Sequence, residues 1–154
     1  DLYGNESTSN QKYENLHAIK NIYIRPEQKQ YFERVNNILN TYKYKKGDPF
    51  FCFQSDQMTM FAFEASSATK IFNLCIHFAA DPIKQVNSKP KFLFLSKWDV
   101  QILNDTLKKM NWGFPEDFDK YYLGTPEIYK TNYPTERWLY CRKTSNYIKN
   151  DSLQ

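Results

Sequence analysis

Residues 48–113 read DPFFCFQSDQMTMFAFEASSATKIFNLCIHFAADPIKQVNSKPKFLFLSKWDVQILNDTLKKMNWG, and the fold class turns on them. Three apolar runs, Phe50–Phe53, Met58–Phe63 and Ile71–Phe78, are rich in aromatic or β-branched residues and separated by the polar turns Ser55–Gln57 and Ser66–Thr69. That cadence predicts a β-meander over residues 50–79. In the third run Phe72, Leu74, Ile76 and Phe78 share one face, with Asn73, Cys75 and His77 on the other, as in a half-buried strand. Lys91–Leu95 predicts a fourth strand. Ser96 and Asp99 then form a capping box, Leu95 and Val100 take the staple positions, and Val100, Leu103, Leu107 and Met110 recur at helical spacing, predicting a helix over 97–112. Gly113 and Pro115 stop it.

Outward from this block, residues 1–16 are polar and read as a flexible arm. Ala18–Ile24 alternates weakly, as an edge strand would. Pro26 opens a helix over 26–44 whose apolar residues Tyr31, Phe32, Val35, Ile38, Leu39 and Tyr42 make one stripe, ended by Gly47-Asp48-Pro49. Beyond the second helix lie acidic Phe114–Asp119, then Lys120–Leu123, a Pro-punctuated loop over 124–134, a last strand at Arg137–Cys141 and a polar tail over 143–154. The expected architecture is α+β: a single domain over 17–142, an antiparallel sheet built on the 50–79 meander, and two amphipathic helices whose stripes share the face of Phe72, Leu74, Ile76 and Phe78.

A strand and helix preceding a meander and a second helix, with Phe51-Cys52-Phe53-Gln54-Ser55-Asp56-Gln57-Met58-Thr59-Met60-Phe61-Ala62 giving strand, polar turn and strand, resembles one half of a sliding-clamp subunit. The likeness covers about half of the chain and includes no diagnostic motif. It implies a clamp-like or nucleic-acid-binding domain as one alternative function.

Composition narrows the function classes. The chain has 154 residues, 18% of them aromatic, and only 4 glycines, so the interior is expected to be packed with rings, and no glycine-rich phosphate loop is present. A net charge of +4 with scattered lysines is that of an ordinary domain. No apolar stretch is long enough for a membrane span, and no signal peptide is visible. The Asp at position 1 reads as either a mature terminus or an excision boundary. Cys52, Cys75 and Cys141 cannot all pair within one chain; buried reduced thiols are expected, which favours an intracellular protein, over a disulfide such as Cys52–Cys75 or Cys75–Cys141. Asn5, Asn104 and Asn150 head Asn-x-Ser/Thr triplets, against about one or two expected by chance, and define the alternative of a secreted glycoprotein that binds an apolar small ligand.

No catalytic, metal or cofactor site can be assembled at a recognisable spacing. Cys75 and His77 lie on one strand face, whereas a nucleophile and base normally come from separate elements. A zinc site would have to gather Cys52, Cys75, His77 and Cys141 without paired-ligand spacing. Glu116, Asp117 and Asp119 read as a solvated acidic turn rather than an acid–base pair. What remains is an interleaving of aromatic and basic residues: Tyr42, Lys43, Tyr44, Lys45 and Lys46 in one segment, and Lys120, Tyr121, Tyr122, Tyr129, Lys130 and Tyr133 in another. Tyrosine with lysine offers contact area and charge to a macromolecule. The expectation is therefore a non-enzymatic domain that binds a partner through these segments, with protein preferred to nucleic acid because the acids at 116–119 adjoin the second one.

Overall fold

The computed structural model describes residues 11–52, 57–69, 88–124 and 136–144. In chain order the elements are β1 (Gln11–Lys12), a 3-10 turn (His17–Ile19), β2 (Tyr23–Ile24), α1 (Pro26–Thr41), β3 (Pro49–Cys52), α2 (Gln57–Ala62), β4 (Ser66–Ser67), β5 (Phe92–Ser96), α3 (Lys97–Lys109), β6 (Phe118–Gly124) and β7 (Arg137–Arg142). Strands β1 and β2 make a small antiparallel pair, and the other five form one sheet in the order β4-β3-β5-β7-β6. The fold is α+β.

The sheet is mixed, which corrects the antiparallel expectation. β3 runs parallel to both β4 and β5, while β5, β7 and β6 pair antiparallel. The meander is corrected with it. Of its three runs the first is a strand, the second is helix α2, and the third, Ile71–Phe78, lies outside the described residues. Over Thr59–Phe63 burial follows a helix: Thr59, Met60, Ala62 and Phe63 are buried and Phe61 is exposed. The reason is tertiary. Met and Ala are good helix formers, and Phe61, which an alternating strand would place on the same face as Thr59 and Phe63, is exposed while those two are packed, Thr59 against the Tyr31 hydroxyl at 3.2 Å and Phe63 edge-on to Phe32 at 6.2 Å. The clamp-like cadence of Phe51–Ala62 therefore fails at its second strand.

Each strand feeds both faces of the sheet. Phe50, Cys52, Phe92, Phe94, Leu139, Cys141 and Leu123 turn toward α1, where Tyr31, Phe32, Val35 and Leu39 cover them. Phe51, Leu93, Leu95, Tyr140 and Phe118 turn to the opposite side and meet Leu103 and Leu107 of α3 together with Trp112 and Phe114. The two helices thus lie on opposite faces rather than sharing one, because both neighbours of β5 are strands and its five residues are all buried. The helix stripes expected to meet Phe72, Leu74, Ile76 and Phe78 have other partners among the described residues.

Both helices start where the sequence indicates and stop short of their expected ends. Ser96 Oγ accepts from the Asp99 N–H at 3.1 Å while the Asp99 carboxylate accepts from the Ser96 N–H at 2.7 Å, which is the capping box in full. At the α1 start, Gln28 Oε1 accepts from the Arg25 N–H at 3.0 Å. α1 ends at Thr41 because Lys43 takes φ +53° and the Tyr44 N–H folds back to the Leu39 carbonyl at 3.0 Å. α3 ends at Lys109, followed by Asn111 at φ +55°. Gly113, at φ +73°, is required where it stands, since a Cβ there would collide with the Asp117 carboxylate.

Within the stretch read as an arm, residues 11–16 belong to the packed body. Tyr13 and Leu16 are buried with α1 and Ile19, and β1 pairs with β2. Leu103 is 2% exposed beneath α3. Leu103→Ala is expected to cost about 2–5 kcal/mol, read from the urea midpoint at constant m-value; an unchanged midpoint would show that this stripe bears no load.

Candidate binding surface

The first basic–aromatic segment is largely consumed by the fold. Tyr42, at the C-cap of α1, is buried and donates its hydroxyl hydrogen bond to Asp119 Oδ2 at 2.6 Å, with the Tyr121 hydroxyl 2.7 Å away. The two rings meet edge to face, with centroids 5.9 Å apart. This cluster pins the end of α1 to β6 and joins the two candidate segments, which are 77 residues apart at the Tyr42–Asp119 contact. Tyr44 enters the core between Phe50, Phe63 and Phe92, and its hydroxyl donates to the Phe63 carbonyl. Lys43, Lys45 and Lys46 are exposed, and Lys46 pairs with Glu64. The Lys45 N–H donates to the Asp48 carboxylate at 2.9 Å, and the same oxygen holds the Lys91 ammonium at 2.9 Å, so the turn into β3 is clamped.

Burial and the Asp119 and Tyr121 hydroxyl contacts push the ionisation of Tyr42 far up, and burial with the nearby Asp48 and Glu64 carboxylates pushes Tyr44 up to about 12. Cys141, opposite Asp119 on the neighbouring strand, is also pushed up, by burial first and Asp119 second. All three are raised, so the folded chain holds the protonated forms. Their stabilising contribution is complete below the unfolded thiol and phenol ranges of about 8.5 and about 10 and is lost as pH rises through the folded values. The urea midpoint is therefore expected to hold from about pH 7 to 8 and to fall steadily between about pH 9 and 12, with Tyr44→Phe flattening the upper part. A midpoint that is level across that range would contradict the buried placement of these groups.

Strand alternation divides the second segment. Asp119, Tyr121 and Leu123 point to the α1 side, whereas Lys120 and Tyr122 point to the α3 side. There Tyr122, opposite Trp138 in the ladder, lies 5.8 Å from its ring in a tilted contact and remains 46% exposed. The Lys120 ammonium stands 4.7 Å above the Trp138 ring and 5.7 Å from that of Tyr140. Among the described residues β6 is the outer strand of the sheet, so this patch of cation and rings sits at its rim. Trp138 belongs to the strand expected at Arg137–Cys141 but is not among the candidate binding residues; the signal available was its place on a strand whose antiparallel neighbour carries Lys and Tyr two residues apart. Tyr129, Lys130 and Tyr133 lie outside the described residues.

The other candidates do not converge. Asp119 is engaged under α1, Asp117 abuts Gly113, and Glu116 is exposed in the turn, where its carbonyl accepts from Lys143 Nζ at 2.7 Å. Cys52 and Cys141 are buried on the α1 side of the sheet, and Cys75 and His77 lie outside the described residues. Among the described residues no group of three or more His, Cys, Asp or Glu is placed to hold a metal ion. Asn104 is half-buried on α3; Asn5 and Asn150 lie outside the described residues. No helix among the described residues is long and apolar enough to cross a membrane. An open groove of about 720 Å³ runs between the 3-10 turn and α2, with Ala18, Met60, Phe61 and Ala65 against His17 and Glu64.

No protein-family model, curated protein or solved structure matches the chain.

Proposed function

We propose that the protein is a non-enzymatic binding domain that engages a protein partner through Lys120, Tyr122 and Trp138. The observation that carries this reading is the exposed Tyr122 ring, already set against Trp138 with Lys120 over the indole. Its core-facing neighbours complete the packing without it. Tyr and Trp supply contact area with few torsions to immobilise, and such residues dominate binding energy where they are pre-positioned. Protein is preferred to nucleic acid because Glu116 and Asp117 immediately precede β6 in the chain and the net charge is only +4, little to hold a run of phosphates. Tyr42 and Tyr121 serve this surface indirectly by holding α1 against β6, whereas Tyr44 ties the chain after α1 to the end of α2.

Tyr122→Ala is expected to leave the urea midpoint within about 1 kcal/mol of wild type and to weaken partner binding by roughly 30-fold, about 2 kcal/mol. The comparison is made by recovering bound proteins from a native extract with wild type, Tyr122→Ala and Lys120→Ala; equal recovery by all three overturns the reading. Titration with single-stranded and duplex oligonucleotides at two salt concentrations addresses nucleic acid. Tight binding that weakens steeply with salt would replace the protein partner with a nucleic acid.

A further inference from the structure

The backbone of β6 carries a second kind of information. Arg142 donates its N–H to the Lys91 carbonyl at 2.9 Å, and the Lys97 N–H reaches the Glu136 carbonyl at 2.9 Å, so the even-numbered residues of β7 face β5. The Lys143 N–H bonds the Asp117 carbonyl at 2.9 Å, so the odd-numbered residues face β6. Hydrogen-bonded and non-hydrogen-bonded pairs alternate along an antiparallel ladder. Asp119 and Tyr121, opposite Cys141 and Leu139, therefore bond inward, while Lys120 and Tyr122 turn their N–H and C=O groups to the outer edge. Phe118, which faces the same way, has its N–H taken by the Pro115 carbonyl at 3.1 Å. Among the described residues no strand pairs with the Lys120–Tyr122 edge. The two residues whose outward backbone groups meet no partner among the described residues are the two whose side chains stand beside Trp138.

We propose that the Lys120–Tyr122 edge accepts an extended segment of a protein partner as an added antiparallel strand, with a carboxylate side chain opposite Lys120 and an aromatic one opposite Tyr122; this rests on the surface reading above. Main-chain pairing supplies the attachment, and alternate side chains on the Trp138 face supply the selectivity. The irregularity between Tyr122 and Gly124 keeps the added strand short. A second copy of the chain fits less well. The symmetric register that satisfies the same backbone groups sets Lys120 opposite the copy's Tyr122 and leaves the two lysines diagonal to each other on one face, their Cα atoms about 7–8 Å apart. An edge lysine next to a bulge works against self-pairing, whereas a carboxylate opposite it turns the same charge into an attraction.

The test uses a capped peptide, Thr-Val-Tyr-Val-Glu-Val-Thr, whose antiparallel pairing sets Glu opposite Lys120 and Tyr opposite Tyr122, the same peptide with Lys in place of Glu, and a form N-methylated at Glu and Tyr. Amide exchange and ring signals are followed by NMR on the full chain. The acidic peptide is expected to slow exchange at the Lys120 and Tyr122 amides by about tenfold or more, the Lys peptide to bind about tenfold more weakly, and the N-methylated form to give no protection. Lys120→Glu should reverse the preference between the two unmodified peptides. Shifts of the Tyr122 and Trp138 rings with unchanged exchange at both amides would overturn strand addition and leave the protein-binding surface standing. Absence of any change at about millimolar peptide also overturns strand addition, while the surface itself falls only if Tyr122→Ala leaves partner recovery unchanged. Protection that rises with protein concentration and without peptide would overturn it in favour of a second copy.

Discussion

Replacing Phe50 by Ala is expected to lower stability by about 3–5 kcal/mol, a large share of the roughly 5–15 kcal/mol that holds a domain of this kind. Phe50 is fully buried in β3, with ring centroids 5.3 Å from Phe92, 5.1 Å from Phe94 and 5.5 Å from Tyr44. Truncation leaves a hole on the α1 side of the sheet between the rings of Tyr44, Phe92 and Phe94, and with β5 held in the sheet beside β3 these walls cannot close on it. It also removes three ring contacts beyond the area term. Phe50→Leu retains most of the volume and is expected to lose less than half as much. Urea unfolding of the three chains checks both values; a Phe50→Ala loss under about 1 kcal/mol would mean that the sheet centre is not where the fold is held.

The second large effect is expected at Arg142. This side chain is 3% exposed, yet its charge is integrated into the fold: Nε donates to the Pro90 carbonyl at 3.2 Å, Nη1 donates to the Trp112 carbonyl at 2.8 Å, and the guanidinium lies 4.5 Å from the Phe118 ring centroid. One residue thereby ties the end of β7 to the turn after α3 and to the entry of β5. Arg142→Met keeps the apolar stem and leaves both carbonyls without these donors, at about 1–3 kcal/mol each. The expected loss is about 2–6 kcal/mol in urea unfolding. Arg142→Lys should recover only a fraction, because one ammonium cannot reproduce the planar fork that reaches both carbonyls. Full stability in Arg142→Lys would show that charge alone is what the site requires.

Local signals in the sequence were sufficient wherever a structure is decided by neighbours along the chain. Ser96 with Asp99, and Pro26 with the stripe Tyr31, Phe32, Val35 and Leu39, set the starts and buried faces of α3 and α1, because caps and helical stripes are made by residues three or four apart. The runs expected as strands at Phe50–Phe53, Lys91–Leu95 and Arg137–Cys141 overlap the strands Pro49–Cys52, Phe92–Ser96 and Arg137–Arg142, since each is short and aromatic-rich. What depends on residues far apart was not legible. Met58–Phe63 suits strand or helix by composition, and helix goes with the burial of Thr59, Met60, Ala62 and Phe63 around an exposed Phe61, against partners such as Tyr31 and Phe32 about thirty residues away in sequence. The parallel pairing of β3 with β5 requires a crossover whose direction no local pattern encodes. The candidate surface divides in the same way. That Tyr and Lys alternate on a strand at 120–122 is a property of the sequence, and so is the sorting of Tyr121 and Tyr122 to opposite faces once that strand forms. Which face meets α1 and closes over Tyr42 and Asp119, and which is left beside Trp138 at the rim, was decided only when the sheet acquired its strand order, because the burial of a side chain depends on what covers it.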